Sequence, residues 1–518
     1  MELPTVDRRF KVRQADAGRA LWQMAHRCPF AARSCTHYAT GRTRTAVPCG
    51  KRGKQKRRKV RRRQECTAMG NRTPNVGLAG LLTAANWTQG QLAAQINRIG
   101  TEAGQSVGCT KFNVNKWVGG TIPRKHIRPL ILEAFARKLA RPVTHEEAGW
   151  PPPVAESGVP TLGEGDTVEG LVSTGRADMD PERRKFLATS LYSAALPIPM
   201  FRELVDREES NAAGRTTRIG AGEVATVRTM TERIADILDE LGGAHARPMA
   251  AAFLVNTVAP YLRADAPESV KSSMLAAASD LVYLTGWMAM YERDHGLGQR
   301  YYLRALELAG AANDHVTYCR TLRGMALQAA NLKHASKALE LADSAAEAAP
   351  KAGPRLHAFL AGQQAHGAAL VGDRRQAFAR LRETEAALSK ADNRRDAIGG
   401  YDLAAYFFHV SSVNYALGDI PTSVKAMQDS NRVRPPVERQ GRAHANGLLA
   451  QRQLEMGHLE AACGTWGKFL DDYEQLSSSR ADEHFEIMER RLRSYQTHRA
   501  ARELRERAVE LARRKAAA

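Results

Sequence analysis

Thr110, Lys111, Asn113, Asn115 and Lys116 fall within "CTKFNVNKWVGG", where Val114, Trp117 and Val118 share one helical face and paired glycines end the helix. The five polar residues therefore form the outward side of a short helix with an apolar back. Their chemistry is recognition, not bond making. An asparagine amide matches the paired donor and acceptor of an adenine edge, and a lysine ammonium suits guanine or phosphate. Patterns that would point to catalysis do not hold together. "GQSVG" (104–108) fits a nucleophile elbow, but that serine needs a strand before it, and helical sequence precedes it here. "RIGAGEVATV" (218–227) has a G-x-G without the third glycine or a preceding strand. His245 and Arg247 beside Gly242-Gly243 read as a structural loop. The spacing of His26, Cys28, Cys35 and His37 suits no common zinc pattern. No paired-carboxylate, H-E-x-x-H or P-loop arrangement stands out, so neither an enzyme nor a cofactor is expected.

Several predicted elements must hold that polar face in place. "VGLAGLLTAAN" (76–86) has apolar residues at helical spacing. "WTQGQLAAQIN" (87–97) follows, with Thr88 as N-cap and Leu92, Ala93 and Ile96 on one face. A Gly-rich turn, "RIGTEAGQSVG", leads into the short helix. "TIPRKHIRPLILEAFARKLA" then places Pro123 near a helix start and runs an apolar stripe through Ile127, Leu130, Ile131, Phe135 and Leu139.

"TQGQLA" followed by "VNKWVGGTIP" resembles the second and recognition helices of the phage-repressor-like (XRE) regulators. The resemblance covers about 75 residues and implies a helix-turn-helix domain over 72–150 that binds double-stranded DNA. By the same match Gln89 contacts phosphate or base, and the basic Arg124 and Lys125 that follow the helix are expected to hold the DNA backbone. The turn between the two helices, at about a dozen residues, is longer than in the family.

The chain has 518 residues, 43% hydrophobic and only 6% aromatic, which favours close-packed helices over large sheets. No run approaches the length of a membrane span, so no membrane contact is expected. Seven scattered cysteines without a C-x-x-C pair suit a reducing, cytoplasmic setting. Residues 1–68 hold 19 Lys/Arg against 4 Asp/Glu, so most of the net charge of +21 lies there. The run "KRGKQKRRKVRRR" (51–63) reads as a disordered, phosphate-attracting extension. Organised sequence begins at Met69, which is read as the natural start, with 1–68 as an upstream region that is not translated.

Residues 151–180 are rich in Pro and Gly and net acidic, and are expected to be a flexible linker. "PERRKFLATSLYSAALPIP" (181–199) looks like a twin-arginine export signal, yet it lies after a predicted folded module. Asp180 as N-cap, Pro181 at the first position and Pro197 and Pro199 as stops make it a helix of about 15 residues, roughly 22 Å, too short to span a membrane. A connecting helix and loop are thus expected over 181–221, and helical repeats over 222–518. The repeat turns are "DHGLGQ" (294–299), "QAANLK" (328–333), "LVGDRR" (370–375), "ALGDIP" (416–421) and "EMGHLE" (455–460), a drifting period of roughly forty residues resembling degenerate tetratricopeptide repeats. The last charged stretch, from about 483 to 515, reads as one capping helix.

"DELGGAHARPMAAAFL" and "LVYLTGWMAMYERDHGLGQRYYLRALELAGAANDH" resemble the C-terminal part of large actinobacterial regulators that join such a helix-turn-helix to tetratricopeptide-like repeats. Some of those repress differentiation and antibiotic production. The expected fold is all-α: a small helix-turn-helix bundle linked to an α-solenoid. The expected protein is a cytoplasmic transcription regulator that works as a homodimer and takes a peptide, small-molecule or protein effector in its repeat groove. A second reading, from a different class, is a helical-repeat scaffold with a vestigial helix-turn-helix, and a third is a twin-arginine exported protein.

Overall fold

The computed structural model describes residues 73–102, 107–139, 141, 143–150, 166–180, 192–194, 198, 218–348, 353–391 and 401–517. The basic extension, the GQSVG serine and most of the twin-arginine stretch lie outside them. Helices account for the described chain, without a strand; a single isolated bridge pairs Arg218 with Asp265. Among the described residues no helix is long and apolar enough to cross a membrane.

Four helices form the first part: α1 Val76–Ala84, α2 Gln89–Glu102, α3 Lys111–Val118 and α4 Arg128–Leu139. Their apolar stripes meet in one core, which includes Leu78, Leu92, Ile96, Val114, Trp117, Ile131 and Phe135. Helix α2 runs farther than the glycines suggest, to Glu102, because Ile99 and Gly100 are buried in that core. The turn before α3 is correspondingly shorter. Pro123 does not start α4; it lies buried before a turn, and the helix begins at Arg128.

Helix α5, Thr167–Met179, occupies the second half of the expected linker. Asp166 caps it by accepting from the Val168 amide at 3.0 Å, and Leu171, Val172 and Ala177 are buried. Its glycines are close-approach positions: a Cβ on Gly170 would stand 2.3 Å from the Arg304 guanidinium, and one on Gly175 would stand 2.6 Å from Val255. Asp180 sits at the C-cap of this helix, and the helix expected to start after it at Pro181 lies outside the described residues.

The solenoid opens with α6 Ala221–Leu241, α7 Gly243–Phe253, a π-turn Leu254–Val258 and α8 Ala259–Leu262. His245 and Arg247 lie inside α7, not in a loop. Antiparallel pairs then follow: α9 Glu268–Tyr291 with α10 His295–Ala311, α11 His315–Asn331 with α12 Ala335–Glu347, α13 Pro354–Leu370 with α14 Arg374–Leu388, α15 Leu403–Ala416 with α16 Ile420–Val433, and α17 Arg439–Glu455 with α18 Leu459–Tyr473. The expected capping helix is itself two helices, α19 Ser479–Leu492 and α20 Arg499–Ala517, with Ala501, Leu504, Ala508 and Leu511 buried.

The turns are three residues long and share a backbone. The central residue takes a positive φ: Arg293, Asn313, Lys333, Gly372, Gly418 and Gly457, at 63°, 54°, 66°, 86°, 84° and 81°. The next residue begins the following helix, and Asp314, Asp373 and Asp419 cap it with their carboxylates. A left-handed conformation costs a side-chain-bearing residue about 1 kcal/mol. Lys333→Gly should therefore stabilise the fold and Gly418→Ala destabilise it, each by about 1 kcal/mol, in chemical denaturation. An added Cβ at Gly418 would meet no atom within 4 Å, so that change isolates the backbone effect.

The array curls until its ends meet. Helix α6 packs on both α9 and α17. The Ser477 amide donates to Leu241 O at 2.8 Å, the Ala244 amide to Ser477 O at 3.2 Å, and Arg439 to Glu240 O at 2.6 Å. Asp239 sits at this seam, where burial and neighbouring Glu438, Asp236 and Glu240, only partly offset by Arg434, push its carboxyl up to about 7. The folded chain keeps that proton above the ordinary value of 3.8, so stability is lost as the pH rises from about 4 through about 7. Asp239→Asn should match the parent at pH 4 and exceed it at pH 8 by about 1–3 kcal/mol in urea unfolding.

Candidate nucleic-acid interface

Helix α3 is fixed at both ends. At its start, the Thr110 amide and hydroxyl donate to Asn113 Oδ1 at 2.9 and 2.7 Å. The preceding turn is pinned by Asn97 of α2, which donates to Cys109 O and accepts from the Cys109 amide, both at 2.8 Å. At its end, the Asn75 amide donates to Val118 O at 2.8 Å, while the Asn75 side chain caps α1 and donates to Ala148 O at 2.9 Å. Val114 and Trp117 anchor the inner face.

Lys111, Asn115 and Lys116 stand exposed on the outer face. Gln89, at the first turn of α2, donates to Asn115 Oδ1 at 3.4 Å, so the two helices present one joined polar surface. Thr110 and Asn113 belong to this region but spend their polar atoms on capping, which turns the Asn113 carbonyl oxygen back toward the chain. Arg124 and Lys125 are exposed beyond the helix. Between Thr73 and Leu132 the only acid is Glu102, against six Lys/Arg, and it is engaged by Arg98 at 3.3 Å and Arg137 at 2.5 Å. The face is net positive without the N-terminal extension.

Phe112 was not indicated by the apolar stripe. It is 64% exposed on the outer face, with the Lys116 ammonium 4.4 Å from its ring centroid. The signal was present in the sequence as an aromatic one turn before Lys116 and outside the Val114–Trp117 face. Cys109 offers no nucleophile, since burial pushes its thiol up to about 11. Among the described residues no group of three or more His, Cys, Asp or Glu side chains could hold a metal ion.

The same module has a second, opposite task at α4. Buried Glu133 pairs with Arg137 at 2.7 Å and accepts from the Ala194 amide at 3.2 Å. Ser193 exchanges two hydrogen bonds with Gln299 of α10, at 2.8 and 2.7 Å, and Tyr192 stacks on His334 at 5.5 Å. Residues 192–194 thus tie the four-helix bundle to the solenoid, and the polar face of α3 stays open. Burial holds the Glu133 carboxyl above its ordinary range despite Arg137.

The bundle has a counterpart among known families. Residues 78–151 match the model of the SP15 N-terminal domain. This SP15-like stretch runs from the third residue of α1 through α4 and takes in their shared core, including the whole of α3. No curated protein and no solved structure matches the chain.

Proposed function

We propose that the chain is a transcription regulator that binds double-stranded promoter DNA through α3, with the solenoid as its effector-sensing and dimerising part. The observation that carries this reading is the exposed Lys111–Asn115–Lys116 face, joined to Gln89 and set on a rigid, acid-poor bundle. A helix of eight residues with an apolar back fits the major groove and presents its polar front to base edges. Asn115 suits adenine, Lys111 and Lys116 suit guanine or phosphate, and Phe112 suits a thymine methyl. Arg124 and Lys125 grip phosphate from outside the groove. One small bundle reads few base pairs, so two copies on paired half-sites give the specificity a promoter needs. Mapping the chain's binding sites across its host genome should return a recurrent sequence with two-fold character. A genome-wide profile without any enriched sequence would sink direct regulation and favour the scaffold reading.

A further inference from the structure

The first helices of the pairs, α9, α11, α13, α15, α17 and α19, bring their side chains together inside the curl. Tyr291 of α9 and Phe408 of α15 both approach His444 of α17, at 6.5 and 5.8 Å, and Arg480 of α19 lies 4.6 Å from the Tyr291 ring centroid. Most polar groups there are paired. His444 and His484 share a hydrogen bond of 2.8 Å, and Arg452 donates to Ser411 and Ser423 at 2.6 and 2.9 Å.

Arg323 of α11 has no such partner. It is 7% exposed, makes no hydrogen bond or ion pair with a described residue, and has its Nε sealed from solvent. Its guanidinium carbon stands 4.0 Å from the Phe359 ring centroid and 5.2 Å from that of Trp287. The adjacent Arg320, in contrast, is held by Asp280 and Thr317. Two neutral groups near Arg323 are equally unsatisfied. Gln363, one turn beyond Phe359 on α13, is fully buried with neither end of its amide bonded. The Tyr302 hydroxyl, buried and unbonded, lies beside Gly324. An unpaired guanidinium, amide and phenol gathered in one interior are strongly unfavourable unless something else completes them.

We propose that Arg323, Gln363 and Tyr302 form a binding site for a monocarboxylate whose apolar body rests on the partly exposed Trp287. The rings of Phe359 and Trp287 crowd the guanidinium and leave its N–H fork as the donor set, which matches the two oxygens of a carboxylate. Gln363 and Tyr302 add further donors. Burial holds nearby His366 down to about 4 and His409 well below its usual range, so both are neutral at pH 7. The guanidinium that Phe359 and Trp287 frame is a single fork, which suits the single charge of a carboxylate better than a phosphate dianion. The carboxylate could belong to a free small acid or to the C-terminus of a peptide. The assignment rests on the proposed effector role of the solenoid and not on DNA binding.

Titration calorimetry on the full chain separates the two sources. The probes are 1-naphthylacetate against its neutral amide, and an acetylated tetrapeptide ending in phenylalanine with a free or amidated C-terminus. In at least one pair the acid should bind about tenfold or more tightly than the amide, and Arg323→Met should abolish the preference. Preference in the first pair alone assigns a small acid, and in the second alone a peptide end. Arg323→Met and Gln363→Leu should also keep or raise the melting temperature without ligand, because each removes an unsatisfied buried group. Equal binding of acid and amide in both pairs, no binding of either acid, or a preference that survives in both variants overturns the site. A fall in melting temperature in both variants overturns it too, by assigning the groups to the core. Promoter binding measured on the same variants without ligand should not change, so the DNA reading stands or falls separately.

Discussion

Changing Lys111, Asn115 and Lys116 together to Ala should lower promoter affinity by two to four orders of magnitude while leaving the fold intact. A good base contact contributes about 1–3 kcal/mol of discrimination; at about 1–2 kcal/mol each, three lost side chains remove roughly 3–6 kcal/mol. All three are exposed, and the core beneath them rests on Val114 and Trp117, which the changes leave in place. Surface changes of this kind move stability by about 0.5 kcal/mol or less. Among the described residues the changes remove the 3.4 Å contact from Gln89 to Asn115 and the Lys116 ammonium over the Phe112 ring. Fluorescence anisotropy with a promoter fragment taken from the genomic map reads the affinity, and a thermal melt checks the fold. If both lysines reach phosphate, the slope of log affinity against log salt should also fall by about 1.8. Unchanged affinity in the triple variant would move the interface off α3. Unchanged affinity together with unchanged partner binding would make the bundle a relic on a scaffold.

The elements that carry this face were legible because their signals are local. Apolar residues at helical spacing marked Leu92, Ala93 and Ile96, and then Ile127 through Phe135, and all of them are buried. The "x-Gly-Asp" and "x-Gly-His" turns were legible for the same reason: a positive φ asks for glycine, and a helix start asks for a cap. Turns that use Arg293 or Asn313 at that position gave no such sign, and the repeat period drifted accordingly. Glycine misled where it serves packing. Gly170 and Gly175 suggested a flexible linker, but they lie in a buried helix beneath Arg304 and Val255. Long-range pairing left no trace at all. Nothing near Ser477 predicts that it bonds Leu241, and nothing near Gln299 predicts its grip on Ser193. The capping use of Asn113 was in principle readable from Thr110 three residues earlier, but helical periodicity places it on the polar face with the reading residues.

That same helix α5 carries the largest stability effect expected in the solenoid, through Arg247. Arg247 of α7 is 5% exposed; it bonds Asp294 at 2.5 Å, and Asp178 of α5 lies 3.6 Å from it. Asp178 is 2% exposed and accepts from the Tyr301 hydroxyl at 3.1 Å. Arg247→Leu fills similar space but removes the guanidinium that faces both Asp178 and Asp294, a loss of about 3–5 kcal/mol. For a chain of this size the melting temperature should drop by roughly 10 °C. Asp294 has a way out that Asp178 lacks, since it sits at the first turn of α10 with 17% of its side chain exposed. The penalty therefore belongs mainly to Asp178, and the double variant Arg247→Leu/Asp178→Asn should recover more than half of it. A double-mutant cycle in urea measures the coupling. A coupling below about 0.5 kcal/mol would show that Asp178 finds water or another partner without Arg247, and that α5 is held to the solenoid by the packing of Leu171, Val172 and Ala177 and the Arg263–Glu169 pair.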